Sequence, residues 1–278
     1  MIANSLDLMV PILLAALGGL LTERAGVLNI GLEGLILFGA FAGLAAANAT
    51  GSLVAGLLSG AAAGVVLAAV YSVACIELRA NIFVAGLATN LLAAGVVPYL
   101  SQLLYRTKGV VRLGLDPGFA SAAGVSVMVP VSIALAAVLW VALYYTPFGM
   151  RLRATGGNPE ALVARALRPD RYRRAAMLLS GLLAGFAGAQ VSLRLGVYVP
   201  NISAGRGWIA LVAIFLGARH PLGVVAAAAV FALFESFAGA AQGFTEIPGT
   251  LLLGLPYLIT LVAMVVYSAI GRSARIER

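Results

Sequence analysis

Charged side chains make up only 10% of this sequence, against 62% hydrophobic residues, whereas a soluble globular domain carries roughly 25% charge. That deficit excludes a water-soluble globular protein and points to an integral membrane protein. A chain of 278 residues has room for about nine spans of roughly 20 residues with short connections. No polar stretch is long enough for a separate soluble domain, so residues 1–278 read as one all-helical membrane domain. The single cysteine, Cys75, excludes a disulfide within the chain. The single histidine, His220, has no cysteine or carboxylate at ligand spacing, which argues against a metal site. No glycine loop ends in Lys-Ser or Lys-Thr, so the chain does not cradle ATP by that route. No catalytic constellation emerges. The opening residues lack a basic n-region and carry Asp7 where a secretory leader is apolar, so no removable signal is expected. The net charge of +8 sits mainly in loops and tail, where topology and anionic headgroups account for it without nucleic acid.

What is present is a series of apolar runs, at about 6–21, 27–47, 53–76, 82–104, 127–145, 175–195, 207–218, 222–241 and 250–269. Between the fifth and sixth lies a polar island, 149–174, with seven arginines against Glu160 and Asp170. Short loops with this bias stay on the cytoplasmic side. Alternation then places the turns at 22–24, 77–79 and 219–220 inside, with the tail that carries Arg272, Arg275 and Arg278. The loop 105–126, with Arg106, Lys108 and Arg112 against Asp116, faces outward as a modest exception, and the N-terminus is expected outside. The run 207–218 is short for a span and is expected to be tilted, broken or extended into Gly205 and Arg206.

Small residues fill the runs, with 33 glycines in all. No hydrophobic force drives helices together in lipid, so close packing across small side chains has to do it. Against that background, intramembrane polar groups mark candidate functional positions, because an ionised carboxylate in lipid costs several kcal/mol or more unless compensated. Glu33, with Asn29 read one helical turn earlier on the same face, is the first. It reads either as path lining or as a packing carboxylate paired to Arg24. Glu235, beside Ser236, reads as path lining or as a neutral hydrogen-bonded acid. Asn90, Gln190 and Gln242 add uncharged polar contacts, and Asn29 and Asn90 suit interhelical hydrogen bonds as well as solute contacts.

Within the island, Asn158 is placed to cap a short helix that starts at Pro159 and runs to about Leu167, with Glu160 favourable to its dipole. Such a helix between two spans suits either the lipid interface or a docking knob for a cytoplasmic partner, and the knob is the preferred reading.

The stretch Leu21 to Gly34 (LTERAGVLNIGLEG) resembles the signature of permease subunits of bacterial ABC importers for nucleosides and simple sugars. Phe148 to Arg151 and Gly156 to Ala161 are similar to the coupling loop of that family and of ribose permeases. Gly86 to Leu91, Leu216 to Gly223 and Leu255 to Leu261 resemble further parts of the same family. The resemblance implies a type II importer-like fold, a bacterial inner-membrane location and alternating access driven from outside the chain. The expected partners are cytoplasmic ABC ATPases that use ATP and Mg²⁺, a second homologous permease and an extracytoplasmic substrate-binding lipoprotein. Gly157, Asn158, Pro159, Glu160 and Ala161 match the family's coupling helix, and Arg165 and Arg168 are added on electrostatic grounds. Asn29, Glu33, Asn90 and Glu235 are the candidate path residues. A rival reading is a proton-coupled carrier using Glu33 and Glu235; a membrane scaffold is disfavoured by the buried carboxylates.

Overall fold

The computed structural model describes residues 2–241 apart from 117, 118, 120, 123 and 124. The apolar run at 250–269, Gln242 and the tail arginines lie outside those residues. Each of the first eight apolar runs holds a helix, although in the second, 27–47, the helix begins only at Leu32. Seven are long and apolar enough to cross a membrane, and an eighth, Arg206–Leu216, is shorter.

Helix α1 (Ile2–Arg24) is central: 83% of its apolar window is buried, against 22% for α4 (Ile82–Tyr105) and for α5 (Met128–Tyr145). With no water to collapse against, a helix buried this fully is surrounded by other helices, and one buried this little turns most of its surface to lipid or to a partner. The two hubs after α1 are α2 (Leu32–Thr50) and α8 (Pro169–Leu195), and α3 (Leu53–Ser72) lies against both. Their seam is built from glycine. A Cβ at Gly39 would stand 2.5 Å from the Cα of Gly185, and one at Gly60 would stand 2.7 Å from the carbonyl oxygen of Gly39. Only hydrogen fits at these crossings, which lets the three backbones meet.

Other elements follow from local chemistry. Helix α3 runs on through a π-helical turn, Val73–Glu77, and the chain then reverses at Arg79, which takes a left-handed φ of 54°. At the opposite end, β1 (Val111–Arg112) pairs antiparallel with β4 (Val197–Tyr198), and β2 (Ser121–Ala122) with β3 (Val125–Ser126). Asn48 ties this cap to α2, donating to the Arg112 carbonyl at 3.1 Å and accepting from Gly114 N–H at 2.8 Å.

The arginine-rich island departs from the expected shape. A helix, α6 (Pro147–Gly157), follows α5 at once, its first turn capped by the Thr146 hydroxyl, which accepts from Gly149 N–H at 3.2 Å. Helix α7 is only Pro159–Val163, not a helix to Leu167. Asn158 does cap it, accepting from Ala161 N–H at 3.2 Å. The helix stops early because Ala166 adopts φ 57° and the N–H groups of Arg165 and Ala166 close back on the carbonyls of Leu162 and Val163. Helices α9 (Arg206–Leu216) and α10 (Pro221–Ala241) complete the described chain.

Candidate translocation site at two helix breaks

The polar groups inside the membrane collect where two segments interrupt their helices. The first break is residues 25–31, which leave the end of α1 and turn into α2. Asn29 is not on a helical face, as the sequence suggested, but within this irregular stretch. It is fully buried, donates to the Ser180 hydroxyl at 2.8 Å and accepts from Gly31 N–H at 3.0 Å. Asn90 of α4 spans the same break, donating to the Ile30 carbonyl at 3.0 Å and accepting from Gly34 N–H at 2.8 Å. The two amides thus satisfy backbone groups that the interrupted helix leaves open, as irregular backbone at membrane depth requires. Tyr71 of α3 adds a hydroxyl donated toward the carbonyls of Leu28 and Ile82.

The second break is residues 196–205. Leaving α8 at Gly196, the chain pairs briefly as β4, makes tight turns at 199–205 and enters α9. Buried Tyr198 packs edge-on against Phe41, ring centres 5.4 Å apart. The C-terminal end of α9 is fixed at the arginine-rich face: the Arg219 carbonyl accepts from Arg24 Nε at 2.9 Å, and Arg219 pairs with Glu23 at 3.1 Å. Eleven residues of helix rise only about 16 Å, roughly half of a 30 Å hydrocarbon core. Helix α9 is therefore a half-span whose N-terminus lies near mid-depth. This accounts for the short run at 207–218.

The two breaks meet at Glu33. Its carboxylate accepts from Gly205 N–H at 2.7 Å and from Gly207 N–H at 2.8 Å. The pairing with Arg24 offered by the sequence is not formed; Arg24 binds the Arg219 carbonyl and the Tyr144 hydroxyl instead. Glu235 of α10 is ion-paired with Arg206 at 2.5 Å, and Arg206 also donates to the Ile202 carbonyl at 3.2 Å. The contact is single rather than forked: Arg206 Nε and Glu235 Oε2 are buried without a protein hydrogen bond. Arg206 is the residue sequence reasoning missed as a site group. A lone arginine heading an apolar run too short to span was the available signal. Gln190 is buried on α8, and neither of its amide atoms has a hydrogen-bond partner among the described residues.

The structure thus gathers all four candidate path residues around the breaks. Glu235 is paired with the Arg206 guanidinium, and Glu33 lies at the N-termini of α2 and α9, each equivalent to roughly half a positive charge, so the centre is close to electrically balanced.

The candidate coupling residues lie apart, on the arginine-rich face. Gly157, Asn158, Glu160, Ala161, Arg165 and Arg168 are exposed, and Pro159 is half-buried. A groove of about 490 Å³ runs between α6 and α7, with Pro147, Met150, Ala154 and Leu162 along it and Arg151 and Arg165 at its edge. Arg151 bonds the Tyr172 hydroxyl at 3.3 Å, and Arg174 pairs with Glu77 at 2.7 Å, so the island is braced to α8 and α3.

Comparison with known proteins agrees with this architecture. A nucleoside ABC transporter permease protein, NupC, of Lactococcus lactis is 32% identical over 96% of this chain and 91% of its own length. A guanosine ABC transporter permease protein, NupQ, of Bacillus subtilis is 33% identical over 95% and 89%. Among solved structures, PsaBC of Streptococcus pneumoniae matches with a TM-score of 0.52 at 15% identity, covering 94% of this chain and 89% of that one. An inward-facing metal-chelate type ABC transporter matches with a TM-score of 0.51, also at 15% identity, over 95% and 85%. The fold is thus shared with these transporters. The model of the branched-chain amino acid transport system / permease component family matches residues 1–267. The chain belongs to that family, as a multi-pass membrane permease subunit of an ABC importer.

Proposed function

We propose that this permease carries nucleosides inward, by alternating access around the paired helix breaks. The observation that carries the reading is near full-length similarity to two permeases named for nucleoside and guanosine transport. The balanced charge at mid-depth supports it, since a neutral, hydroxyl-rich solute meets no net field there. The chain supplies a path and a lever. ATP and Mg²⁺ are used by cytoplasmic ABC ATPases that seat on residues 157–168, with Gly157, Asn158, Pro159, Glu160 and Ala161 forming the knob and Arg165 and Arg168 its charged flank. A second homologous permease completes the pathway, and an external binding lipoprotein delivers the solute. Asn29, Glu33, Asn90 and Glu235 border the path, the first three by shaping its backbone.

The test is uptake of labelled guanosine, uridine and glucose into proteoliposomes holding the reconstituted transporter, with ATP present or absent inside. Nucleoside uptake that stops without ATP is the expected result. Preferential glucose uptake would move the substrate to sugars, and uptake that follows a proton gradient without ATP would sink the reading.

A further inference from the structure

Among the acids of the described membrane-spanning helices, Glu33 alone has no basic partner. Asp7 pairs with Arg194, Glu23 with Arg219, Glu77 with Arg174, Asp170 with Arg173 and Glu235 with Arg206. Glu33 is answered by backbone instead, one N–H to each carboxylate oxygen, from Gly205 and Gly207. These donors head α9, where no intrahelical carbonyl can serve them, and the helix dipole adds a positive field at that end. The close approach requires glycine: a Cβ at Gly207 would stand 2.7 Å from Glu33 Cα and 2.8 Å from its Oε2. The backbone leading there is unusual. Asn201, Ala204 and Gly205 take φ of 59°, 45° and 79°; glycine adopts this left-handed region freely and asparagine commonly, so the strain falls on Ala204. Such a loop persists only where its surroundings hold it.

We infer that Glu33 is a positioning residue, the resident anion in a carboxylate seat at the N-terminus of the half-span α9. It fastens the second break to the start of α2, so that the two breaks move as one body when the path changes its facing. Gly205 and Gly207 form the seat, and the strained turns 201–205 are held through it. The inference rests on the transport reading for its uptake readout but not for its stability readout.

The experiment uses the purified transporter with its partner subunits, in detergent for thermal unfolding and in proteoliposomes for uptake. Glu33→Ala should lower the unfolding midpoint and cut uptake about tenfold or more, since each lost charge-assisted hydrogen bond is worth at least that factor. Sodium formate should restore both by filling the vacated seat, whereas formamide, of nearly the same shape but neutral, should not. Equal rescue by formamide would reduce Glu33 to a space filler and overturn the inference, as would rescue by neither. Glu33→Gln keeps the shape but presents an amide donor to one of the two N–H groups, so its midpoint and uptake should also fall; wild-type values would overturn the inference. If Glu33→Ala does not assemble, Glu33→Gln decides alone. Wild-type transporter that moves no nucleoside refutes the proposed substrate, while the unfolding midpoint and its response to formate still decide the seat.

Discussion

The pair Arg206 and Glu235 shows how much one residue's partner matters in this site. Both side chains are mostly buried, and the pair makes a single close contact. Removing one partner leaves the other charge uncompensated, which in buried pairs costs about 3 kcal/mol or more. Glu235→Gln is therefore expected to lower the thermal unfolding midpoint and to impair transport, and Arg206→Met should do the same. The double variant should be more stable than either single one, since the stranded charge disappears with its partner. Midpoints that simply add across the three variants would show that the pair is not coupled. The carboxylates of Glu33 and Glu235 were legible in the sequence because ionisable residues are rare in apolar runs. Their partners were not. Gly205, Gly207 and Arg206 reach them only through a fold that brings residues 33 and 235 to one helix end, and the Arg24 pairing that local spacing favoured loses to the backbone donors.

At the scale of elements, the glycines divide into two kinds that sequence alone cannot separate. Gly181 sits in the seam, where a Cβ would meet Ala68 and would stand 2.5 Å from the Gly64 carbonyl oxygen. Gly95 in α4 has nothing within 4 Å of its would-be Cβ. Gly181→Val is expected to cost about 2–3 kcal/mol through forced separation of α3 and α8. Gly95→Ala should be neutral or stabilise by roughly 0.5–1 kcal/mol, as helix propensity predicts. Thermal unfolding of the detergent-purified chain checks both, and equal effects would sink the distinction. Helix positions were readable because apolar runs and arginine bias are local signals. The half-span α9 was readable only as a shortage of length, since its depth is set by contacts to Arg24 at one end and Glu33 at the other. The extra helix α6 escaped notice because Thr146 and Pro147 restart a helix immediately after α5, where an arginine-rich loop was read.

Across the whole molecule, the polar centre and the arginine-rich face are joined by elements that run between them. Helix α9 carries the Glu33 contact at one end and the Arg219 contacts at the other, while Arg24 links α1 to the Arg219 carbonyl and to Tyr144. Arg153 stacks over the same Tyr144 ring, 4.6 Å from its centre, which brings α6 into this chain of contacts. A push on α6 and α7 thus has a continuous packed route toward mid-depth, as transmission by rigid elements requires. Glu160 tests where that push enters. It is exposed, and no ion pair involving it is formed among the described residues. Glu160→Arg should cost the fold no more than about 1 kcal/mol through the helix dipole, leaving assembly in the membrane and the unfolding midpoint near wild type. It should nevertheless reverse the charge of the proposed docking knob, so that ATP hydrolysis continues while nucleoside uptake per ATP falls about tenfold. The measurement is the ratio of the two rates in one proteoliposome preparation. A wild-type ratio would move the docking surface off α7, and a fall in both rates together would mean that the ATPase no longer seats at all.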